Sequence, residues 1–409
     1  LHDLGVPAAG RRHLRREKPM LKAYFDGTHR TRHPDETWEA IRPLLMAYGI
    51  TRIANVTGLD DLGIPVTMAV RPLARTLSVA QGKGATLAAA RVSGAMEAIE
   101  AWHGERALPT AEVRAPADRL GLDLPYPVTA LESHSGSLFT GRTVLDWITA
   151  RSALDGEPTL VPAACVQLGR EAHDRWRLYL PSASTNGLAS GNTRAEAVVH
   201  ALAELIERDT ISALADGSGH GRLIDPDTVE DEHSAALIDR VRAAGAWLEL
   251  WHLPNRFEVP VISCYLWRED QPGLLVSGSG AHLDPHVALS RAITEAAQSR
   301  LTQITGSRED IHPAAYRPAV HHGPQPSAGR GAPWAEITAE HTTGFATDEG
   351  EAEHLAARIS AVTGHSPLVV DLTHGPHQQS EFAVVKVLAP TLRYEARHVI
   401  PRPAQEAVA

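Results

Sequence analysis

The chain has 409 residues, 43% of them hydrophobic and 22% charged, the balance of a soluble globular protein with a sizeable core. A net charge of −10 and a pI near 6.1 argue against a nucleic-acid binder that relies on bulk positive charge. Two cysteines, Cys165 and Cys264, exclude a disulfide framework and a Cys-rich zinc site, and no apolar run approaches the ~20 residues of a spanning helix. These features together predict a cytoplasmic protein with no membrane and no nucleic-acid partner.

Residues 1–20, including RRHLRREK, read as a loosely held basic tail. A helix is predicted over Pro34 to Tyr48, and two strands in ITRIANVTGLDDLGIPVTMAVRP. A Gly-rich turn, QGKGAT, precedes a helix over about Gly84–Gly104; residues 125–179 read as irregular strands and turns. Next come a helix over 194–214, an αβ unit over about Ala235–Leu253, strands in VPVISCYLW and LLVSGSGAHL, and a helix over about Pro285–Thr305. Residues 312–345, rich in Pro, Gly and His, read as a long loop of the lid or binding type, followed by a strand in FAVVKVLAP and a proline-containing tail. The class is mixed α and β (α+β), with residues 21–409 as one closely connected domain.

The most informative stretch is EAVVHALAELIERD. Glu196, His200, Glu204 and Glu207 follow at steps of four, four and three, which places them on one helical face within about 80°. Val198, Val199, Leu202, Leu205 and Ile206 occupy the other face. Ser93, Glu97 and Glu100 repeat the pattern in a second helix, and Arg291, Glu295 and Gln298 in a third. A solvated face usually alternates acid with lysine four residues on, yet these stripes contain no lysine. Carboxylates from separate helices, with arginine beside them, suit a divalent cation and a polyphosphate.

Other chemistries lack their signatures. No phosphate-loop consensus surrounds QGKG, although Gly82-Lys83-Gly84 before a helix offers backbone N–H groups and an ammonium to phosphate. His-Glu-x-x-His and Gly-x-Ser-x-Gly are absent. Glu100 with His103 and Glu351 with His354 have di-iron spacing, but the helix of Glu204 and Glu207 has no matching pair, and Glu351 reads as lying away from the acidic helices. His282/His286 and His321/His322 read as surface or supporting residues, and both cysteines as core.

Four long motifs in order, TGLDDLGIPV, SVAQGKGATLAAARVSGAMEAIE, SASTNGLASGNTRAEAVVHALAELIERD and GAHLDPHVALSRAITEAAQSRLTQITGSRED, resemble the YcaO superfamily. The resemblance runs from about Gly27 in DGTHR to Asp310, and loosely to Pro403. It implies a YcaO-type fold, with helices carrying an acidic Mg-ATP site packed on mixed sheets. By motif it assigns Glu97, Glu100, Glu204 and Glu207 to metal, and Glu196, Arg208, Arg291 and Glu295 to the nucleotide. Lys83 and Ser93 join the nucleotide set, and Asn192 falls near the adenosine. Arg208 would neutralise the transferring phosphoryl group; the motifs do not identify the base, and His200 is one catalytic candidate for it, with a structural hydrogen-bonding role as the alternative.

The implied activity is phosphorylation of a backbone amide oxygen in a ribosomally made peptide. Attack by a side chain or amine gives an azoline or amidine; attack by sulfide gives a thioamide. A non-catalytic peptide-binding scaffold is a further alternative. The resemblance also implies a standalone homodimer that recognises its precursor peptide directly or borrows an accessory protein. Azoline-forming members often end in a proline-rich arm entering the site, which Pro401 and Pro403 echo in part.

Overall fold

The computed structural model describes residues 20–106, 108–120, 124–133, 137–169, 180–181, 183–311, 316, 324–341, 344–373, 381–394 and 400–403. The basic tail therefore lies outside the described residues, apart from Met20, as do His321 and His322.

A hairpin of β1 (Ala23–Phe25) and β2 (Thr28–Arg30) opens the described chain. It turns on Asp26 and Gly27, both at positive φ, the Asp-Gly signature of a two-residue hairpin loop. The predicted helix over 34–48 is divided. Helix α1 (Pro34–Ile41) starts under a cap from His33 and passes into a 3-10 turn over Arg42–Tyr48. Pro43 accounts for the change, because proline removes a helical N–H and crowds the preceding turn.

Strands β3 (Arg52–Asn55), β4 (Val66–Val70) and β5 (Val79–Lys83) form a three-stranded antiparallel sheet. The Gly-rich turn is thus partly strand: Gln81, Gly82 and Lys83 pair with Met68, Thr67 and Val66. Helix α2 (Leu87–Arg106) lies directly on β5. A Cβ at Gly82 would come 2.0 Å from Gly94 N and 2.1 Å from Ala90 O. Gly82→Ala is therefore expected to lower unfolding free energy by about 3 kcal/mol through overpacking, read from the urea midpoint.

Within the stretch read as irregular over 125–179, the described residues hold two regular strands, Val144–Ser152 and Pro158–Pro162, and residues 134–136 and 170–179 lie outside the described residues. β6 (Val113–Pro116), β7 (Val144–Ser152) and β8 (Pro158–Pro162) join β9 (Leu188–Gly191), β14 (Leu368–Asp371) and β15 (Ala383–Leu388) in a six-stranded sheet. Helices α3 (Arg194–Ala215) and α7 (Asp348–Thr363) pack together, and Val385, Val387 and Ala189 share their apolar cluster. Val384, Leu188 and Val370 cluster instead with Ile99 and Ala95 of α2.

A four-stranded sheet contains β10 (Arg222–Ile224), β11 (Trp247–His252), β12 (Val261–Arg268) and β13 (Gln271–Ala281). Helices α4 (Glu232–Ala243) and α5 (Pro285–Thr305) cover one face through Leu237, Ile293, Leu250 and Cys264. A short helix, α6 (Trp334–Ala339), interrupts the predicted 312–345 loop. Helices and sheets are mixed as expected, but every strand pairing within the sheets is antiparallel.

One arrangement occurs three times. β5 leads to α2, β9 to α3 and β13 to α5. Each helix opens on a side chain that accepts an amide of its first turn: Thr86 from Ala89, Thr193 from Glu196 and Asp284 from His286. Seven residues past these caps stand Ser93, His200 and Arg291; eleven past, Glu97, Glu204 and Glu295; fourteen past, Glu100, Glu207 and Gln298. Equal offsets from the cap place equivalent positions on equivalent helical faces.

Candidate active site

The acidic face of α3 is not turned to solvent. Glu196 and Glu207 are 3% and 8% exposed, alongside the buried Val198, Val199, Leu202, Leu205 and Ile206. Carboxylates survive such burial only where donors meet them.

Glu100 Oε1 accepts from Ser190 N at 3.0 Å and Ser190 Oγ at 2.5 Å. Glu204 Oε2 accepts from Gly187 N at 3.0 Å, and Glu207 Oε1 from Ser279 Oγ at 2.6 Å. The framework thus holds one oxygen of each of these acids. The other oxygens of Glu100 and Glu207 receive no hydrogen bond from the described residues.

Burial raises the pKa of all four predicted metal acids. Glu100 is pushed up to about 8 by burial, against its Ser190 bond and with help from Glu97 and Glu204. Burial also raises Glu97, opposed by Arg308 and Lys83. It raises Glu204 against Arg208, and Glu207 together with Glu295. Glu295 is held low despite burial, because Lys83 and Arg208 face it. Lys83 Nζ forms an ion pair with Glu295. Arg208 is held above its usual range despite burial by Glu207, Glu204 and Glu295. Its Nε is buried without a hydrogen-bond partner among the described residues. The structure therefore gathers seven predicted residues, Lys83, Glu97, Glu100, Glu204, Glu207, Arg208 and Glu295, into one electrostatic unit.

The phosphate cradle at Gly82-Lys83-Gly84 does not form. Lys83 N donates to Ser93 Oγ of α2 at 3.3 Å and Gly84 N to Pro65 O at 3.3 Å, so both amides are already engaged.

Glu196, Asn192 and His200 belong to an adjoining cluster. Glu196 Oε2 accepts from Thr31 N at 3.2 Å and Thr31 Oγ1 at 2.9 Å, and Glu196 Oε1 pairs with Arg30 at 3.5 Å. Asn192 donates to Glu196 at 3.2 Å and accepts from Thr37 at 2.7 Å. These bonds tether the first hairpin and α1 to the start of α3.

His200 Nε2 stands 2.6 Å from Arg30 and 3.1 Å from Arg291. Burial and both guanidiniums push its pKa well below the usual histidine range. In the tautomer with Nδ1 protonated, the neutral ring accepts from these arginines through Nε2 and orients them, which is the structural hydrogen-bonding role. Burial and Arg30 lower Arg291 to about 10.

Glu351 was expected away from the acidic helices, but the packing of α7 on α3 brings it in. It pairs with Lys22 and lies 3.5 Å from His282, which is buried rather than superficial. Nearby Asp348 is pushed up to about 7 by burial and by Glu196, and its Oδ2 lacks a partner among the described residues. The folded state therefore retains a proton that the unfolded state loses near the ordinary aspartate value. Stability from this group falls as pH rises from about 4 to about 7. Asp348→Asn is expected to flatten that fall and raise the thermal midpoint at pH 7.5, read by calorimetry at both ends of the window.

Arg30, Ser190, Gly187, Ser279 and Arg308 escaped the sequence reading. Four lie inside quoted motifs, DGTHR, SASTNGLASG and GSRED, but their spacing to the acids is not helical.

The donor set fits a hard cation. Among the described residues no three His, Cys, Asp or Glu side chains could hold an ion alone. Carboxylates that supply one or two oxygens each, with a polyphosphate completing the shell, match the way magnesium is usually bound. A family model described as the ATP- and Mg2+-binding YcaO cyclodehydratase matches residues 81–393. The chain belongs to the YcaO family.

An uncharacterized Mycobacterium tuberculosis protein is 42% identical to this YcaO chain over 304 residues, which cover 73% of this chain and 67% of that one. The Methanopyrus kandleri YcaO bound with AMPPCP and Mg2+ superposes with a TM-score of 0.66 at 24% identity, covering 90% of this chain and 94% of that one. A heterocyclase in complex with substrate and cofactor gives a TM-score of 0.70 at 19% identity, covering 92% and 54%. Both structural likenesses concern the fold. No described helix of this YcaO chain is long and apolar enough to cross a membrane.

Proposed function

We propose that this YcaO chain uses ATP and Mg2+ to phosphorylate the oxygen of a backbone amide in a ribosomally made peptide. Ring closure to an azoline or amidine is the first expectation. The observation that supports it is the convergence of Glu97, Glu100, Glu204, Glu207 and Glu295 with Lys83 and Arg208 from three helices and a strand.

In this reading Glu97/Glu100 and Glu204/Glu207 hold Mg2+, which when bound would neutralise phosphate charge. Arg208 and Arg291 face the triphosphate, and Lys83 holds Glu295 in its ionised form. A nucleophile adds to the amide carbon and loses its proton. The resulting oxyanion takes the γ-phosphoryl group and ADP departs. Expulsion of phosphate, with loss of the amide proton, leaves a C=N bond. ATP thus becomes ADP and phosphate while a side-chain nucleophile and the amide lose one water. Phosphorylation converts a poor leaving oxygen into a good one, and preorganised charge supplies the stabilisation.

The path of Ile400–Pro403 favours a second reading, thioamidation by a sulfide donor. Ile400 N donates to Ser277 Oγ at 2.8 Å, Tyr265 OH to Pro401 O at 2.7 Å, and Arg402 to Glu249 Oε1 at 2.7 Å. Ser277, Tyr265 and Glu249 are cross-strand neighbours, so this segment lies across β13, β12 and β11. Residues 400–403 are thus bonded to the sheet along their length, and the echo of a proline-rich arm in Pro401 and Pro403 stays partial, which supports the sulfide reading beside the azoline one.

The test is incubation with candidate precursor peptides, ATP and Mg2+, followed by mass spectrometry and phosphate assay. Loss of one water supports cyclodehydration, and oxygen-to-sulfur exchange with added sulfide supports thioamidation. Mg-ATP binding without turnover supports the scaffold alternative. No binding, phosphate release or mass change with any peptide overturns the proposal. A homodimer and an accessory protein are part of it, tested by light scattering and by reconstitution.

A further inference from the structure

We propose that Lys386, in the middle of β15, is a positioning residue for the acids of this site; the inference rests on their reading as Mg-ATP ligands. Lys386 is only 2% exposed, and a lysine in that setting needs bonds to repay its lost hydration. Its Nζ donates to Ser184 O and Asn186 O, each at 2.6 Å. The same turn is held by Glu132, whose Oε2 accepts from Ser184 Oγ at 2.8 Å. Burial lowers the lysine's pKa, while Glu132 and Glu204 hold it up.

The turn ends at Gly187, which donates to Glu204 and continues into Ser190, which donates to Glu100. One short segment therefore orients a carboxylate from each of two helices. Its backbone is tightly placed. Gly187 has φ +74°, its carbonyl accepts from Val387 N at 2.8 Å, and a Cβ there would lie 2.3 Å from Val387 O. Lys386 itself pairs in register with Leu188. The ammonium is thus a peg under the donors of Glu204 and Glu100. Groups that orient metal ligands from behind commonly change metal affinity by roughly 10–100-fold when removed.

The test uses the full chain, Mg2+ and a non-hydrolysable ATP analogue, with binding followed by calorimetry. Lys386→Met is expected to weaken binding by about tenfold or more. Added Mg2+ should restore most of its phosphate release, a KM effect rather than a kcat effect. Glu132→Gln, which loosens the same turn while leaving the ammonium, is expected to weaken binding less. Failure of the wild-type chain to bind would overturn the Mg-ATP reading itself. Wild-type binding matched within twofold by folded Lys386→Met overturns the positioning role. If that variant does not fold, Lys386→Leu or Lys386→Ala is used in its place, and binding within twofold of wild type by a folded one overturns the role equally.

Discussion

Glu204→Gln should lower phosphate release by roughly 10²–10³-fold, while the ligand-free protein becomes no less stable. The amide oxygen of Gln can still accept from Gly187 N, so the local fold is kept. What disappears is a negative charge that Glu207 and Glu100 both feel. Carboxylates gathered for a cation repel one another until it arrives, and functional sites commonly trade stability for such preorganisation. Kinetics of phosphate release and differential scanning calorimetry check the two halves. Wild-type turnover in this variant would contradict the assignment of Glu204.

Arg208→Met is predicted to lose roughly 10³-fold in turnover, with the opposite effect on stability. Glu207, Glu204 and Glu295 all face this guanidinium, and without it their charge is uncompensated. The thermal midpoint should fall. Arg208→Lys should restore stability better than turnover, because a lysine keeps the charge but not the planar fork. Glu204→Gln combined with Arg208→Met should be less destabilised than Arg208→Met alone, since the two groups interact directly. Additive losses would mean that the pair is not coupled.

The helices of the site were legible because a 3.6-residue period repeats over five to six turns. The third matches its predicted bounds, Pro285–Thr305. The acids were legible for the same reason: Glu97/Glu100 and Glu204/Glu207 are three apart on one face. Their hydrogen-bond donors were not. Ser190, Gly187 and Ser279 lie on or before strands that meet the helices only through tertiary packing, and Lys386 reaches its turn from about 200 residues away.

Two surroundings were not legible for the same reason. Gly82-Lys83-Gly84 has the composition of a loop, but its glycines serve close contact with α2, and the amides of Lys83 and Gly84 are taken by Ser93 and Pro65. His200 shares a helical face with the acids, but the neighbours that set its chemistry, Arg30 and Arg291, come from other elements. Spacing reports which side chains share a face; it does not report what lies opposite. The Asp26-Gly27 hairpin was a local signal that could have been read from sequence alone.

The thrice-used cap register has a thermodynamic consequence. Residues eleven past each cap, Glu97, Glu204 and Glu295, come from parts of the chain about 100 residues apart. A ligand spanning them would cross-link three distant segments and slow the opening of all of them together. Amide exchange in α2, α3 and α5 should therefore become slower in concert as ligand is added, by the factor that mass action sets. A ligand held by one helix alone would protect that helix and leave the other two exchanging as before.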